Sequence, residues 1–458
     1  MKVIVCGAGQ VGSNIARYLA TAGNDVTVID QRADLTRRIS DSLDIQGITG
    51  FASHPEVLEQ AGASNADLLI AVTFSDEVNM IACQIAHSLF DVPTRIARVR
   101  SQSYMQGRWR DLFSRNHLPI DYVISPEIEV AHDIVRRLRV PGAIEVIPFA
   151  HDAVRLIGVR CEATTPVLNT PLRQLAYLFP DLPLLCVGVS RDDQFFIPSG
   201  DDALIEADEV YFVVATSHVA RAMPIFGHEE HSIERVVIAG GGNIGLFLAQ
   251  ELEQEHPDIA LKVVEGSQDR AVFIADKLRQ ATVLHGDARD REILEEAGIH
   301  SAQAIVTLTN DDEVNIMAGL LAKRYGCKSA LALVTNTAYA PLTGTLGLDV
   351  VINPRQTTVS SVLRHVRRGR IRSVHTLRDG AAEIFEAEAL ETSPLVGEPL
   401  RDVRLPPGVV VGAVIRGQEV IIPRGDTVVR ANDRVVIVAR AQAVKKAEKL
   451  FAVRLDFF

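Results

Sequence analysis

Hydrophobic and polar residues follow two different periods near the start of the chain. Residues 2–6 (KVIVC) form a short apolar run, and residues 13–19 place apolar side chains three and four positions apart. A short apolar run beside glycines is typical of a buried strand, and the longer period is typical of an amphipathic helix. A second apolar run occupies residues 25–29. The pattern predicts strand, turn, helix and strand, the opening of a parallel α/β sheet.

The same pattern returns in the second half of the chain. Residues 1–30 and residues 234–265 both read as strand, glycine-rich turn, helix and strand. The repeat also pairs FSDEVNM with NDDEVNI, SPE with NPR, and PSGD with PRGD, at residues 74–80 and 310–316, 125–127 and 353–355, and 198–201 and 423–426. A repeat of this length predicts two copies of one architecture, which leaves little room for a separate catalytic domain.

Each copy divides into a Rossmann-like α/β domain with a parallel sheet, a connecting helix and a small α+β module, in line with usual domain sizes. Ser125 is expected to cap the first connecting helix, with Pro126 at its first position. The predicted boundaries are 1–124, 125–143 and 144–222 in the first copy, 223–232 for a linker, and 233–353, 354–372 and 373–458 in the second copy.

The glycine-rich turn of the first copy has the spacing of a dinucleotide-binding loop. The first glycine permits a tight turn, the second lets the backbone approach a pyrophosphate, and the third lets the helix pack on the strand. The free N–H groups and the dipole of the helix N-terminus favour a phosphate there. The loop residues predicted to bind a cofactor are Gly7, Ala8, Gly9, Gln10, Val11 and Gly12.

An acid belongs about 20 residues after such a loop, where it accepts hydrogen bonds from a ribose. Asp30 ends the second apolar run, so it is predicted to bind the ribose of NAD or ATP. Turns after the other strands of a parallel sheet line the same crevice. They add Phe51, Ala52, Thr73, Phe74 and Arg98 to the predicted site, with Arg98 as a charge partner for phosphates. Capping of the following helix remains an alternative role for Thr73 and for Asp76.

The second copy keeps the glycines and an acid, but Leu333 takes the place of Arg98. We therefore expect the second site to be weaker or to select a different ligand, and a scaffold that has lost its ligand is the alternative. The residues predicted to form it are Gly240, Gly241, Gly242, Asn243, Ile244, Gly245, Glu265, Asp287, Thr309 and Asn310.

Composition restricts the classes of function. The formal net charge is −11, which disfavours nucleic-acid binding because phosphate neutralisation needs a basic face. No apolar run approaches the roughly 20 residues of a membrane helix, and the start lacks the features of a secretory signal, so a cytoplasmic protein is expected. Five scattered cysteines without a partner spacing predict small buried side chains and no metal site.

Through these residues and the repeat, the chain resembles the RCK family, the cytoplasmic regulators of potassium conductance. The resemblance covers essentially the whole chain, through residues 7–12 with Asp30, residues 240–245 with Glu265, and the two Pro-x-Gly-Asp turns. It implies regulation without catalysis and without catalytic residues. The implied ligand is NAD(H), with ATP or ADP as a further possibility. The implied partner is an integral membrane potassium-translocating subunit. The chain itself is expected on the cytoplasmic face of the inner membrane, in a homo-oligomeric ring beneath that subunit, expected to be a tetramer.

Two other functions compete with this interpretation. An NAD-dependent oxidoreductase would need a positioned acid or base beside the nicotinamide, normally from a dedicated domain, and the small modules offer few candidates. A soluble nucleotide sensor that acts on a partner other than a transporter is the third hypothesis. Co-purification with a multi-span membrane protein would distinguish it from the first.

Overall fold

The computed structural model describes residues 1–105, 107–114, 116–192, 194–228, 233–336, 338–339, 346–366 and 371–451. The first Rossmann-like domain alternates strands and helices. Its strands are β1 (Lys2–Cys6), β2 (Asp25–Asp30), β3 (Gln46–Thr49), β4 (Leu68–Ala71), β5 (Thr94–Arg98) and β6 (Tyr122–Ile124). Its helices are α1 (Gln10–Thr21), α2 (Ala33–Ser42), α3 (Pro55–Gln60), α4 (Asp76–Ser88) and α5 (Gln102–Met105), with 3-10 turns at Ala63–Asn65 and Gly107–Phe113.

These strands form a parallel sheet in the order β3-β2-β1-β4-β5-β6. The order reverses direction between β1 and β4, and ligands of such sheets bind outside the carboxyl ends of the strands at that point. Ile4 and Val5 of β1 are fully buried, as a strand covered on both faces requires. The glycine loop therefore lies at the expected crevice.

The second Rossmann-like domain repeats this arrangement. Its strands are β12 (Arg235–Ala239), β13 (Ala260–Glu265), β14 (Thr282–His285), β15 (Ala304–Thr307), β16 (Ser329–Leu333) and β17 (Val350–Ile352). They form a sheet in the order β14-β13-β12-β15-β16-β17. Its helices are α9 (Asn243–Glu255), α10 (Gln268–Lys277), α11 (Arg291–Glu296) and α12 (Asp312–Arg324), with a 3-10 turn at Ile299–Ser301.

Each small module contains an antiparallel sheet. The strand order is β10-β9-β11-β8-β7 in the first module and β18-β19-β22-β20-β21 in the second. The first module comprises β7 (Ala143–Phe149), β8 (Val154–Arg160), α7 (Leu172–Leu178), β9 (Leu184–Arg191), β10 (Gln194–Phe196), β11 (Glu209–Ala215) and α8 (Val219–Ala222), with 3-10 turns at Thr216–His218 and Met223–Phe226. The second comprises β18 (Ile371–Leu377), β19 (Ala382–Glu388), β20 (Val409–Arg416), β21 (Glu419–Ile421), β22 (Arg434–Arg440) and α14 (Val444–Lys449), with 3-10 turns at Arg378–Gly380 and Ala441–Ala443. The two sheets share one apolar cluster. The predicted fold class is confirmed.

The connecting helices are α6 (Pro126–Leu138) and α13 (Pro354–Val366). The chain forms two compact units, of which the first combines Met1–Val130 with α13 and the second holds Ala131–Ile352 and the second small module. In the first unit, α13 packs against α1, and its buried Val362, Leu363 and Val366 join the apolar core under the sheet. The second half of the chain therefore completes the core of the first Rossmann-like domain.

Three details differ from the sequence-based expectations. Strands β7 and β18 were not predicted from the sequence. Each lies at the edge of its sheet. Strand β7 contains Pro148, and a proline within an apolar run argues against a strand because proline is tolerated only at sheet edges. The predicted second connecting helix extends to residue 372, whereas β18 already begins at Ile371, and residues 367–370 lie outside the described residues. Phe226, inside the predicted linker, is fully buried against Phe212, with ring centroids 4.5 Å apart, while residues 229–232 lie outside the described residues.

Candidate nucleotide-binding sites

Two glycines of the first loop are required by the backbone itself. Gly7 has a φ of +111°, a conformation that L side chains rarely adopt, and its N–H donates to the Ile29 carbonyl at 2.7 Å. A Cβ at Gly12 would lie 1.8 Å from the Gly7 carbonyl oxygen. These residues fix the turn between β1 and α1 and the close approach of helix to strand.

Gly9 is different, because nothing in the fold demands a glycine there. Its φ of −66° and ψ of −177° are open to any residue, and it is the N-cap of α1. Apart from the adjoining chain, no atom of the described residues lies within 4 Å of a Cβ placed at Gly9, and the same holds at Gly242. The open space faces the N-terminus of a helix, where a phosphate is favoured. The loops therefore fit a pyrophosphate.

The Asp30 carboxylate is tied to this loop. Its Oδ2 accepts a hydrogen bond from the Ala8 N–H at 2.7 Å, and its Oδ1 accepts one from the Arg32 N–H at 2.9 Å. The Arg32 side chain turns to Asp34, with Nη2 to Oδ2 at 2.6 Å. Each carboxylate oxygen of Asp30 keeps a lone pair, so it can still accept from a ribose hydroxyl. Asp30 lies where the sequence predicted.

The turn after β4 is held by a residue that sequence reasoning missed. Asn79 is fully buried; its Oδ1 accepts from the Thr73 N–H and hydroxyl at 2.8 and 2.7 Å, and its Nδ2 donates to the Arg98 carbonyl at 2.9 Å. Asn79 therefore joins the ends of β4 and β5. The repeat carried the signal, because Asn315 makes the same contacts to Thr309 and Leu333.

Neither Thr73 nor Asp76 caps α4 with its side chain. Ser75 caps α4 by accepting from the Val78 N–H, and the Asp76 carboxylate accepts from the backbone N–H groups of Arg100 and Ser101. Thr73 donates its hydroxyl to Asn79. The hydroxyl of Thr73 and the carboxylate of Asp76 therefore hold the crevice wall in place.

Arg98 ends β5 with an unused donor. Among the described residues, its buried Nε has no hydrogen-bond partner, and neither have the buried polar atoms Gln102 Nε2, Ser125 Oγ and Glu127 Oε2. Burial lowers the pKa of the Arg98 guanidinium, and the charge of Arg100 lowers that pKa further. Buried polar groups without partners are costly, so these atoms need polar partners, and the Arg98 Nε donor among them fits an anionic group. The expected capping of α6 by Ser125 is not found, since its hydroxyl is one of these atoms.

The other predicted residues of the first site divide by exposure. The Phe74 side chain is 86% exposed, and the Arg100 guanidinium lies 5.4 Å from its ring centroid. Phe51 is half exposed, 5.3 Å from the His54 ring, whereas Ala52 is buried in the core. Phe51 and Phe74 can contact a ligand with their side chains, while Ala52 offers only its backbone.

The second loop reproduces the first. Gly240 has a φ of +110°, and a Cβ at Gly245 would lie 2.0 Å from the Gly240 carbonyl oxygen. Glu265 Oε2 accepts from the Gly241 N–H at 2.7 Å, as Asp30 does from Ala8. Gly242 caps α9, and Asn243 and Ile244 begin that helix.

A cation that sequence reasoning missed lies beside this second loop. The Arg270 Nε donates to the Gly241 carbonyl at 2.8 Å, its Nη2 lies 3.4 Å from Asn243 Oδ1, and its guanidinium stacks on Phe273. Arg270 is the third residue of α10, and the corresponding residue of α2 is Leu35. Leu333, at the position of Arg98, is buried. Each site thus has its own arginine, carried by a different element.

The remaining residues of the second site lie at its exposed rim. The Asp287 carboxylate pairs with Arg289 at 2.6 Å. Asn310 is exposed, and its neighbour Asp311 caps α12. The Thr309 hydroxyl donates to Asn315 Oδ1 at 2.7 Å.

No three His, Cys, Asp or Glu side chains come together as metal ligands in the described part of the chain. The five cysteines are free and buried, as predicted, and burial raises the pKa of the Cys6 and Cys186 thiols to about 12. Within the described ranges, the helices are all too short or too polar to cross a membrane.

Family comparisons cover most of the chain. The TrkA-N domain matches residues 3–126 and 236–354, and the TrkA-C domain matches residues 384–452. The Trk system potassium uptake protein TrkA of Azorhizobium caulinodans is 52% identical over 458 residues, covering 100% of both chains. Its namesakes from Halomonas elongata and Vibrio alginolyticus are 43% and 40% identical, over 100% and 98% of both chains respectively.

Solved structures share the fold at low identity. The GsuK RCK domain aligns with a TM-score of 0.58 at 17% identity, covering 99% of this chain and 95% of that one. The GsuK channel bound to NAD aligns with a TM-score of 0.59 at 18% identity, covering 99% of this chain and 79% of that one. At these identities the likeness is one of fold.

Proposed function

The chain belongs to the TrkA family of Trk potassium uptake proteins, and we propose that nucleotides bound by its two Rossmann-like domains regulate potassium flux through the membrane subunit of a Trk system. It is a regulatory component of transport and not an enzyme. An oxidoreductase, the competing interpretation, does not fit this membership.

The observation that carries the proposal is the open space at Gly9 and Gly242. The fold requires glycine at Gly7 and Gly12 but tolerates any residue at Gly9, so the glycine there is explained by a ligand that the loop must approach closely. The space lies at a helix N-terminus beside a ribose-type acid, Asp30 or Glu265, in each copy. This combination supports a nucleotide with a diphosphate or triphosphate.

NAD(H) is the proposed ligand, and ATP or ADP is the proposed alternative at the first site. The acids Asp30 and Glu265 favour an unmodified ribose, and the GsuK channel of the same fold was obtained with NAD bound. The unused Arg98 donor adds a position for a further phosphate in the first site.

A nucleotide can regulate only through unequal affinity for two arrangements of the protein. We propose that these arrangements belong to a homo-oligomer, a tetramer, on the cytoplasmic face of the inner membrane. Its partner would be an integral potassium-translocating subunit of the TrkH/TrkG type.

Calorimetric titration with NADH, NAD⁺, ATP and ADP tests the nucleotide part of the proposal. We expect saturable binding by the unmodified protein, and loss of one site in each of the Gly9→Leu and Gly242→Leu variants. NADH absorbance should stay constant with carbonyl compounds present. Equal binding by both variants and the unmodified protein would exclude the glycine loops as the site.

A further inference from the structure

Helix α13 (Pro354–Val366) brings a cation from the second half of the chain to the first glycine loop. Arg355 Nη1 donates a hydrogen bond to Gln10 Oε1 at 2.6 Å. Gln10 is the first residue of α1, directly after Gly9, and its side chain is exposed. Only the Gln10 side chain therefore separates the Arg355 guanidinium from the N-terminus of α1, where the open space at Gly9 lies.

Arg355 lies on a helix that is anchored at both ends. Asn353 Oδ1 accepts from the Arg355 N–H at 3.0 Å, which fixes the first turn of α13. At the far end of the helix, Arg364 contacts Glu129, and the His365 ring stacks on Tyr122 with centroids 4.1 Å apart. Buried side chains between these ends pack into the core of the first domain. Movement of Arg355 therefore requires movement of α13 or rotation of its own side chain.

The charge at this position is reversed between the two copies. Ser125-Pro126-Glu127 in the first copy corresponds to Asn353-Pro354-Arg355 in the second. Glu127 pairs with Arg100, Nε to Oε1 at 3.3 Å. Arg355 has a neutral amide as its partner, and a guanidinium with five N–H donors retains most of them for an anion. A structural role in helix packing would not require the change of sign.

We propose that Arg355 is a phosphate-binding residue of the first nucleotide site, supplied by the second half of the chain. The inference rests on the proposed function, because it assumes that the first site takes a nucleotide. Arg98 then meets the phosphates from the end of β5 and Arg355 meets them from α13. The charge of the ligand acts directly on the helix that leads to the second small module. A ligand with more phosphate charge attracts the Arg355 guanidinium more strongly. Arg355 therefore favours the binding of ATP over ligands with less phosphate charge.

The test uses the full chain with the second site closed by Gly242→Leu, so that only the first site is titrated. In this background, Arg355→Gln should weaken ATP binding about tenfold or more, the scale of a lost charged hydrogen bond. Adenosine, which has no phosphate, should bind unchanged. The ATP affinity should also fall less steeply with salt, and Arg355→Lys should restore part of it.

Arg291→Gln is the control, because it removes an exposed arginine that is paired with Glu295 and lies on α11 of the second copy. The proposal expects the ratio of ATP to adenosine affinity to be unchanged in Arg291→Gln and reduced in Arg355→Gln. An unchanged ratio and salt dependence in Arg355→Gln would overturn it, as would an equal reduction in both variants. Absence of ATP and NADH binding in the unmodified chain would instead refute the proposed function.

Discussion

The Asp30 carboxylate accepts a hydrogen bond from the Ala8 backbone N–H at 2.7 Å, and Glu265 makes the same contact with Gly241 in the second copy. The acid at the end of the second strand thus shapes the glycine loop, and it is also the proposed ribose ligand. A variant that removes the carboxylate changes both roles, so its test needs a substitution that keeps the shape of the side chain.

Asp30→Asn should weaken NADH and ATP binding at the first site by about 1.5–3 kcal/mol, the range for a hydrogen bond to a charged group. Its amide oxygen can still accept from the Ala8 N–H, but its NH2 group cannot accept from the Arg32 N–H, so the protein should also lose about 0.5–1.5 kcal/mol of stability. Calorimetry in the Gly242→Leu background measures the loss, and Glu265→Gln in the Gly9→Leu background is the counterpart. Unaltered affinity for both ligands would remove Asp30 from the ribose contact.

The glycines of each loop should separate into two classes. Gly12→Ala places a Cβ 1.8 Å from the Gly7 carbonyl oxygen, so the helix must shift from the strand and the protein should lose a few kcal/mol of stability, about 1–3 as for overpacking. Gly9→Leu meets open space and should leave the melting temperature within about 2 °C while abolishing nucleotide binding at that site. Thermal denaturation and calorimetry on the same samples make the comparison. Similar destabilisation by both substitutions would show that Gly9 serves the fold.

The two sites should both depend on salt, each through its own arginine. Arg98→Gln should weaken ATP binding at the first site, and Arg270→Gln should weaken ligand binding at the second, each about tenfold. Both variants should also lower the salt dependence of the affected site. Arg291→Gln, which removes an exposed arginine paired with Glu295 at 2.7 Å, is the control for total charge. If Arg270→Gln leaves the second site unchanged, Arg270 serves only to brace the loop.

The contact of α13 with the first domain should weaken in acid. Burial lowers the pKa of the His365 imidazole, and Arg364 lowers it further, against an opposing effect of Glu129. Below about 6.5, the ordinary value, the unfolded chain therefore binds more protons at this residue than the folded chain does, so stability falls as the pH falls through that window. His365→Phe retains the ring contact with Tyr122 and should reduce the loss of stability between pH 7 and about pH 5. An identical pH profile for both proteins would contradict this role.

The sequence predicted those features that depend on local spacing. The glycine loops follow apolar strands, Asp30, Glu265 and Arg98 end such strands, and the topology of a parallel sheet brings these positions to one edge. Arg355 and Arg270 were missed because their placement depends on how helices pack between distant segments of the chain. The contact between Gln10 and Arg355 is an example. No local sequence pattern encodes such packing. Asn79 was missed although the repeat contains Asn315 at the same position. In the sequence, a buried amide that joins two turns cannot be distinguished from an ordinary helix residue.

Potassium uptake by cells that lack this protein tests the central claim most directly. The cells should be supplied with the unmodified chain, with the Gly9→Leu/Gly242→Leu double variant, or with an empty vector, and protein abundance should be matched. We predict that uptake is low with the empty vector, is restored by the unmodified chain, and differs from the restored rate in the double variant, which folds but cannot bind nucleotides. Equal uptake in all three strains, or in the double variant and the unmodified chain, would contradict regulation of potassium flux by nucleotides bound to this protein.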